Sequence, residues 1–373
     1  MIAHAAPPPP VVSAPPVSFG RAAVRLGAGT DRIEVQADGR ITAHLRPPPG
    51  PRRVSVPVPA GVHAVRVKAI GRGGARWSRT VRIRALPRGA LRAGRIPGFV
   101  DRALQRDVER LAGETSAITG VYVQHLVTGC GAAVNADAQF PAASTLKAAI
   151  LVDAVRHGQA ASLRSTLDSM IIDSNDAAAN SALAALGSGS GDAGAAQVTD
   201  TLHDLGLARS LVRRPYIVEN ERHPLPIGTT SSPPLYTNFI STPYELARLM
   251  VAVHRGAVGR GGVARLGIGT AEARAELLAR FLDVRDTSKL VAGLPSGVPV
   301  AHKTGYTDDV RHDAGIIYLR SGPVVASAMT YRQGSIAGTG ERFIARVATV
   351  ARSRLAGGGA CDGLPLTSPR RQR

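Results

Sequence analysis

Phe140-Pro141-Ala142-Ala143-Ser144-Thr145-Leu146-Lys147 opens an apolar run that continues through Ile150, Leu151, Val152 and Val155. Pro141 stands just before this helical pattern, where a proline is tolerated. Ser144 falls in the first turn, and Lys147, three residues on, lies on the same face. A helix that is otherwise apolar, with only these two polar groups near its start, buries its lysine. Burial lowers an ammonium's pKa and a nearby second cation lowers it further, so a neutral Lys147 could take the Ser144 proton. A serine at a helix N-terminus also has backbone N–H groups aimed at any oxyanion beside it. Taken alone, the string is more simply an N-cap serine followed by an ordinary helical lysine.

Two further strings carry chemistry. Ile171-Ile172-Asp173-Ser174-Asn175-Asp176 places small polar groups between an apolar stretch and a new helix, which by itself reads as a helix cap. Val298-Pro299-Val300-Ala301-His302-Lys303-Thr304-Gly305-Tyr306 ends a strand-like run on a lysine that meets Thr-Gly. By itself that is a strand end with a solvated lysine, although the glycine permits a close backbone approach.

Outward from these strings, the pattern gives an order of elements. Residues 99–112 have helical apolar spacing. Val121 to Leu126 and Ala132 to Ala136 are strand-like runs around Thr128-Gly129, a hairpin signal. Helical patterns dominate 144–255, strand-like runs follow at 298–303, 313–320 and 323–331, and a last helix lies near 339–355. The consistent solution is an α+β layer structure over residues 98–358: a five-stranded antiparallel sheet with the terminal helices on one face and an all-helical lobe beside it. The cleft between sheet and lobe is where a ligand is expected.

Upstream the texture differs. Residues 1–28 begin Ala/Pro-rich, with the run Pro7–Pro10, and are expected to be extended or processed. Ala3-His4-Ala5-Ala6 resembles a signal-peptidase site, though no apolar segment precedes it. Residues 29–86 alternate apolar and polar, as in Ile33-Glu34-Val35, Val54-Ser55-Val56 and Val81-Arg82-Ile83-Arg84, and predict a small Ig-like β-sandwich. Residues 87–97 are a Gly/Pro linker, and 359–373 a basic tail. Cys130 and Cys361 could pair in an oxidising compartment.

The charge follows the same division. Of the net +19, residues 1–99 hold +14 and the last four residues +3, which leaves +2 for residues 100–369. A basic chain invites a nucleic-acid reading. Aromatics for stacking are nearly absent from residues 29–86, with Trp77 the one candidate, so nucleic acid is set aside. Arg66, Arg79, Arg82 and Arg84 make a solvated polar face or a surface for an anionic cell-wall polymer or membrane. Only four of the basic residues are lysine: Lys68, Lys147, Lys289 and Lys303. The arginine excess reads as genomic composition. It makes each lysine informative, because arginine cannot replace lysine where a proton must be lost. No run of apolar residues is long enough to span a membrane as a helix.

The ordered set Ser144-x-x-Lys147, Ser174-Asn175-Asp176 and Lys303-Thr304-Gly305 resembles the penicillin-recognising serine hydrolases, the group of class A β-lactamases and penicillin-binding proteins. The resemblance covers about 98–358 and extends to Leu205-Gly206-Leu207, to Ser241-Thr242-Pro243, and to His302 with Val310-Arg311-His312-Asp313. It implies a Ser144 acyl-enzyme, with Lys147 as proton acceptor and Ser174 passing the proton to the leaving nitrogen. Lys303 would hold Ser174 and the substrate carboxylate, and Thr304 would add a hydrogen bond. The N–H groups of Ser144 and Tyr306 would form the oxyanion hole beside Gly305. The substrate implied is a β-lactam or an acyl-D-Ala-D-Ala-type molecule, with no metal or organic cofactor. The implied protein is a monomer, secreted or associated with the cell envelope.

Three departures qualify the resemblance. The second string reads Ser-Asn-Asp where Ser-Asp-Asn is usual, so an ionised Asp176 stands in place of an amide donor. The chain between the first two motifs is shorter, and that between the last two longer, than in familiar class A enzymes. The deacylating glutamate expected before Thr242-Pro243 has only Glu219 and Glu221 as candidates in 208–240, and neither sits in the usual context; Glu219 is the choice. The expected activity is β-lactam hydrolysis. The alternative is a D-Ala-D-Ala peptidase, penicillin-binding protein or esterase that deacylates slowly.

Overall fold

Arg21–Leu26 buries every second side chain, Ala22, Val24 and Leu26, the period of a strand with one face in a core. In this computed structural model, which describes residues 5–13, 15–48, 50–92, 98–216 and 238–366, the chain divides into two compact units, Met1–Leu91 and Arg92–Arg373.

The strands of the first unit are, in order, β1 (Val11–Val12), β2 (Ser18–Phe19), β3 (Arg21–Leu26), β4 (Arg32–Ala37), β5 (Arg40–Leu45), β6 (Arg52–Pro57), β7 (Gly61–Gly71), β8 (Gly74–Trp77) and β9 (Val81–Leu86). They form two sheets, one ordered β1-β3-β6 and one ordered β2-β9-β7-β4-β5 with β8 turned back onto β7. All pairs are antiparallel except β2 with β9. Ala22, Val24 and Val56 of the first sheet share one apolar cluster with Ile33, Val35, Val65, Val67 and Ile83 of the second. This corrects the expectation of disorder over residues 1–28: they hold three strands, and β3 places three side chains in the core.

The second unit opens with β10 (Phe99–Val100) and α1 (Arg102–Gly113), capped by Asp101, whose side chain accepts from Ala103 and Leu104 N–H. There follow β11 (Ile118–His125), β12 (Cys130–Val134), β13 (Phe140–Pro141), α2 (Lys147–Arg156), α3 (Arg164–Ile172), α4 (Asp176–Leu186) and α5 (Gly191–Asp204). Next come β14 (Leu211–Val212), β15 (Phe239–Ser241), α6 (Pro243–Ala257) and two short turns, α7 (Thr270–Glu272) and α8 (Ala279–Phe281). The chain closes with β16 (Val300–Tyr306), β17 (Val310–Tyr318), β18 (Pro323–Tyr331) and α9 (Thr339–Leu355).

The main sheet runs β10-β12-β11-β18-β17-β16. Five of its strands are antiparallel. The sixth, β10, pairs parallel with β12, so the sheet is mixed and not the purely antiparallel five-stranded one expected. A two-residue strand has no periodicity to read. Leu104, Val108 and Leu111 of α1 and Phe343, Ile344, Val347 and Ala351 of α9 pack together on one face of the sheet. Nor is the lobe wholly helical, because β13, β15 and β14 form a small sheet within it, with Phe140 opposite Ser241 and Leu211 opposite Ile240.

The described part of the basic tail is held against the second unit. Val100 N–H donates to Leu364 O and Leu366 N–H to Gly98 O, and Cys361 forms a disulfide with Cys130. The last described residues are thus bound along β10.

Candidate active site

Ser144 lies in a 3-10 turn, Ala143–Leu146, which leads directly into α2 with Lys147 as the first α-helical residue. Thr145 closes this turn, its hydroxyl donating to Ala142 O at 2.6 Å. Ala143, just before Ser144, has φ +47°, and Ser174 has φ +61°. Both are non-glycine residues in the left-handed region, a strain that persists only where the surrounding structure imposes it.

Lys147 is fully buried and its Nζ donates to Ser144 Oγ at 3.0 Å. The same ammonium reaches Ser174 O at 2.5 Å, Ser174 Oγ at 3.5 Å and the Asp176 carboxylate. Lys303 Nζ donates to Ser174 Oγ at 2.8 Å and to Thr304 O at 3.0 Å. Ser174 Oγ thus stands between two lysines, and three distant stretches of sequence meet in one hydrogen-bonded group. Desolvation lowers the Lys147 pKa, and Asp176 partly opposes that fall. Lys303 is lowered to about 7, first by desolvation and then by the Lys147 charge. The two ammonium groups therefore disfavour each other's charged forms.

Gly305 helps the strand come close to the Ser144 turn. A Cβ there would lie 3.0 Å from Ala142 O and 3.1 Å from Thr145 N, so a side chain at 305 would crowd the Ser144 turn against which β16 passes. Thr304 is buried, and its hydroxyl has no partner among the described residues and is not presented to solvent. Tyr306, 59% exposed, stands at the strand end. Glu219 and Glu221 lie outside the described residues.

Sequence reasoning gave no role to four supports of the site. The Tyr216 ring lies 4.6 Å from Lys147 Nζ, stacks on Phe239, and its hydroxyl donates to Ala143 O at 3.4 Å. Asn180 fixes that tyrosine through its backbone, accepting from Tyr216 N–H at 2.6 Å and donating to Tyr216 O at 2.8 Å. His312 on β17 donates from Nε2 to Pro141 O at 2.7 Å, while its Nδ1 lies 2.7 Å from Arg311 O and 3.2 Å from Thr330 N. Buried Lys289, paired with Asp286, lies 6.0 Å from the Tyr306 ring, and its charge further lowers Lys303. The scarcity of lysine was the available signal for Lys289. Beneath the lysine strand, His302 Nδ1 pairs with Asp313 Oδ1 at 2.9 Å, and Leu290 N–H donates to Asp313 Oδ2 at 3.1 Å.

A nucleophile with a buried lysine one turn away, and a second lysine across a shared hydroxyl, is an arrangement for acyl transfer. A family model described as the β-lactamase enzyme family matches residues 103–160 and 153–355. The chain belongs to this family. Membership makes it a serine hydrolase of the penicillin-recognising superfamily. No curated protein matches. Among solved structures, PBP-A is 22% identical, with 69% of this chain and 97% of PBP-A covered and a TM-score of 0.57. A PBP-A mutant solved as an acyl-enzyme complex with penicillin G gives 23%, 69%, 98% and 0.57. A β-lactamase from Streptosporangium roseum gives 20%, 69%, 100% and 0.55. At these identities the likeness is one of fold, shared by penicillin-binding proteins and β-lactamases alike.

Proposed function

We propose that this β-lactamase family member acts through a Ser144 acyl-enzyme and hydrolyses β-lactams. The observation that carries the reading is the Ser174 hydroxyl held 2.8 Å from Lys303 Nζ while Lys147 Nζ sits 3.0 Å from Ser144 Oγ. In this reading neutral Lys147 takes the Ser144 proton as Oγ attacks the carbonyl carbon. The oxyanion is held by the N–H groups of Ser144 and Tyr306. Ser174 then gives its proton to the leaving nitrogen as the C–N bond breaks and recovers one from Lys147. Protonated Lys303 holds Ser174 in place and attracts a substrate carboxylate, with Thr304 and Gly305 flanking it. Glu219 is the proposed base for the water that releases the acyl group.

A second reading, a D-Ala-D-Ala peptidase, penicillin-binding protein or esterase with slow release, has its own support. Among the described residues, the one carboxylate touching the Ser144–Lys147 pair is Asp176, and Lys147 already occupies it. The Tyr216 ring covers Lys147. A chromogenic cephalosporin assay combined with intact-protein mass spectrometry tests both. Sustained turnover supports hydrolysis, and a stable adduct on Ser144 supports slow release. No adduct and no turnover from folded protein would sink both.

The same proposal extends to a monomeric, secreted or envelope-associated protein. The Cys130–Cys361 disulfide supports an oxidising compartment. For the N-terminal unit we propose an Ig-like sandwich. Its first-sheet order β1-β3-β6 and the parallel pairing of β2 with the last strand, β9, support this. Its partner would be an anionic wall polymer or membrane surface. Register puts Arg66 and Lys68 on one face with Arg82 and Arg84, and Arg66 stacks 4.3 Å over Trp77. Retention on purified anionic wall polymer should fall as salt rises; retention unchanged by salt would remove this partner.

A further inference from the structure

Asn175 and Asp176 divide two tasks. Asn175 caps α4, its Oδ1 accepting from Ala178 N–H at 2.8 Å, so its amide is turned to the helix. Asp176 follows as the first helical residue and reaches Lys147 with Oδ1. Its side chain is 43% exposed while Lys147 is fully buried, so the carboxylate is part of the wall that a substrate meets. Oδ2 has no partner among the described residues. On the opposite side, Lys303 Nζ holds Ser174 Oγ. The site is therefore polar along one line, from an exposed carboxylate, through Lys147 with Ser144, to Ser174 and the Lys303 ammonium.

We propose that Asp176 makes this site selective for substrates whose acyl group carries an ammonium close to the scissile carbonyl. The inference deepens the acyl-enzyme reading and rests on it. In that reading Ser174 and Lys303 serve the leaving nitrogen, so the acyl portion extends to the other side, toward Asp176. An acyl group that offers only a carbonyl there meets an acceptor with an acceptor. One that carries a carboxylate meets like charge. An ammonium can donate to Oδ2 in a charge-assisted hydrogen bond. It also shares the carboxylate with Lys147, which then holds its own proton less firmly. A matching substrate would thus favour the basic form of Lys147 as it binds, and the selectivity would appear in the acylation step as well as in affinity. A carboxylate in the first turn of a helix also interacts favourably with the helix dipole. That role alone predicts no dependence on substrate charge.

The test uses the full chain with three penicillins that differ at one carbon: benzylpenicillin, its α-amino analogue and its α-carboxy analogue. Assays run about one unit below the usual α-amino range, where the ammonium form dominates. The second-order constant for ring opening is measured, because it reports acylation whether or not the adduct turns over, and intact mass is read in parallel. The α-amino compound should react about tenfold faster than benzylpenicillin, the worth of one hydrogen bond to a charged group, and the α-carboxy compound more slowly. In Asp176→Asn, which keeps side-chain size and leaves the Asn175 cap intact, the three constants should converge. Equal or reversed constants in the unaltered chain, with ring opening still seen, would overturn the selectivity and leave the acyl-enzyme reading standing. The same order persisting in Asp176→Asn would also overturn it. No reaction with any of the three would remove the acyl-enzyme reading and this inference together.

Discussion

Ser144, Ser174 and their two lysines come from three stretches of chain, and two of these depend on backbone angles that side chains ordinarily avoid, at Ala143 and Ser174. Each motif is a short contiguous string, which is why Ser144, Lys147, Ser174 and Lys303 are legible in the sequence. Tyr216, His312 and the Lys147–Asp176 pair are not, since each acts on a residue at least 29 positions away and no local pattern records that. The two lysines give a pH prediction. Burial lowers Lys147 from its ordinary value, so its basic form grows as pH rises and acylation rises with it. Lys303 loses its proton around pH 7, so the clamp that needs its charge weakens above that point. A bell-shaped profile of the acylation constant against pH is expected, its limbs belonging to the coupled pair. A steady rise with no basic limb would contradict the role of charged Lys303. Tyr216→Phe keeps the ring over Lys147 and should acylate nearly as the parent does. Tyr216→Ala lets water reach Lys147, relieves the desolvation that favours its basic form, and should slow acylation. Equal rates for the two variants would deny the ring a part.

Elements carry the site by being tied to one another. β17 reaches the nucleophile turn through His312 and Pro141, while α6 and β17 meet where His254 Nδ1 lies 3.2 Å from Tyr318 Oη. Desolvation lowers both histidines from the ordinary 6.5 to about 4. The unfolded chain therefore takes up their protons first as pH falls. Their contribution to stability is whole above pH 6.5 and is lost progressively toward pH 4. Urea midpoints measured across that range should fall with pH, and the fall should be shallower in a folded His254→Gln variant. A flat midpoint would mean that these rings are protonated in the fold. Long elements with a clear period, such as α9 at 339–355 and β18 at 323–331, are readable from sequence alone. The elements missed are those without a period. The two-residue strands β10 and β13 are examples, and their existence depends on pairing with distant chain. β3 does alternate, but it lies close behind a proline-rich start that reads as unfolded.

For the whole molecule, composition separates a basic N-terminal part from a nearly neutral remainder, and the two compact units divide at the same region, at Leu91. What composition could not supply is the covalent closure of the second unit. The disulfide joins residues 231 positions apart. On the chain-entropy model such a loop contributes roughly 5 kcal/mol by restricting the unfolded chain. A Cys130→Ser/Cys361→Ser chain should melt at a clearly lower Tm than the parent by calorimetry. If Tm is unchanged between oxidised parent and variant, the bond does not stabilise the fold. Ser144, Lys147, Ser174 and Lys303 all lie between the two cysteines, so the bond threads these four residues onto one closed ring. A single backbone cut anywhere inside that ring would open it without parting it. The nicked protein would keep its full mass on a non-reducing gel and fall into pieces only when the disulfide is reduced.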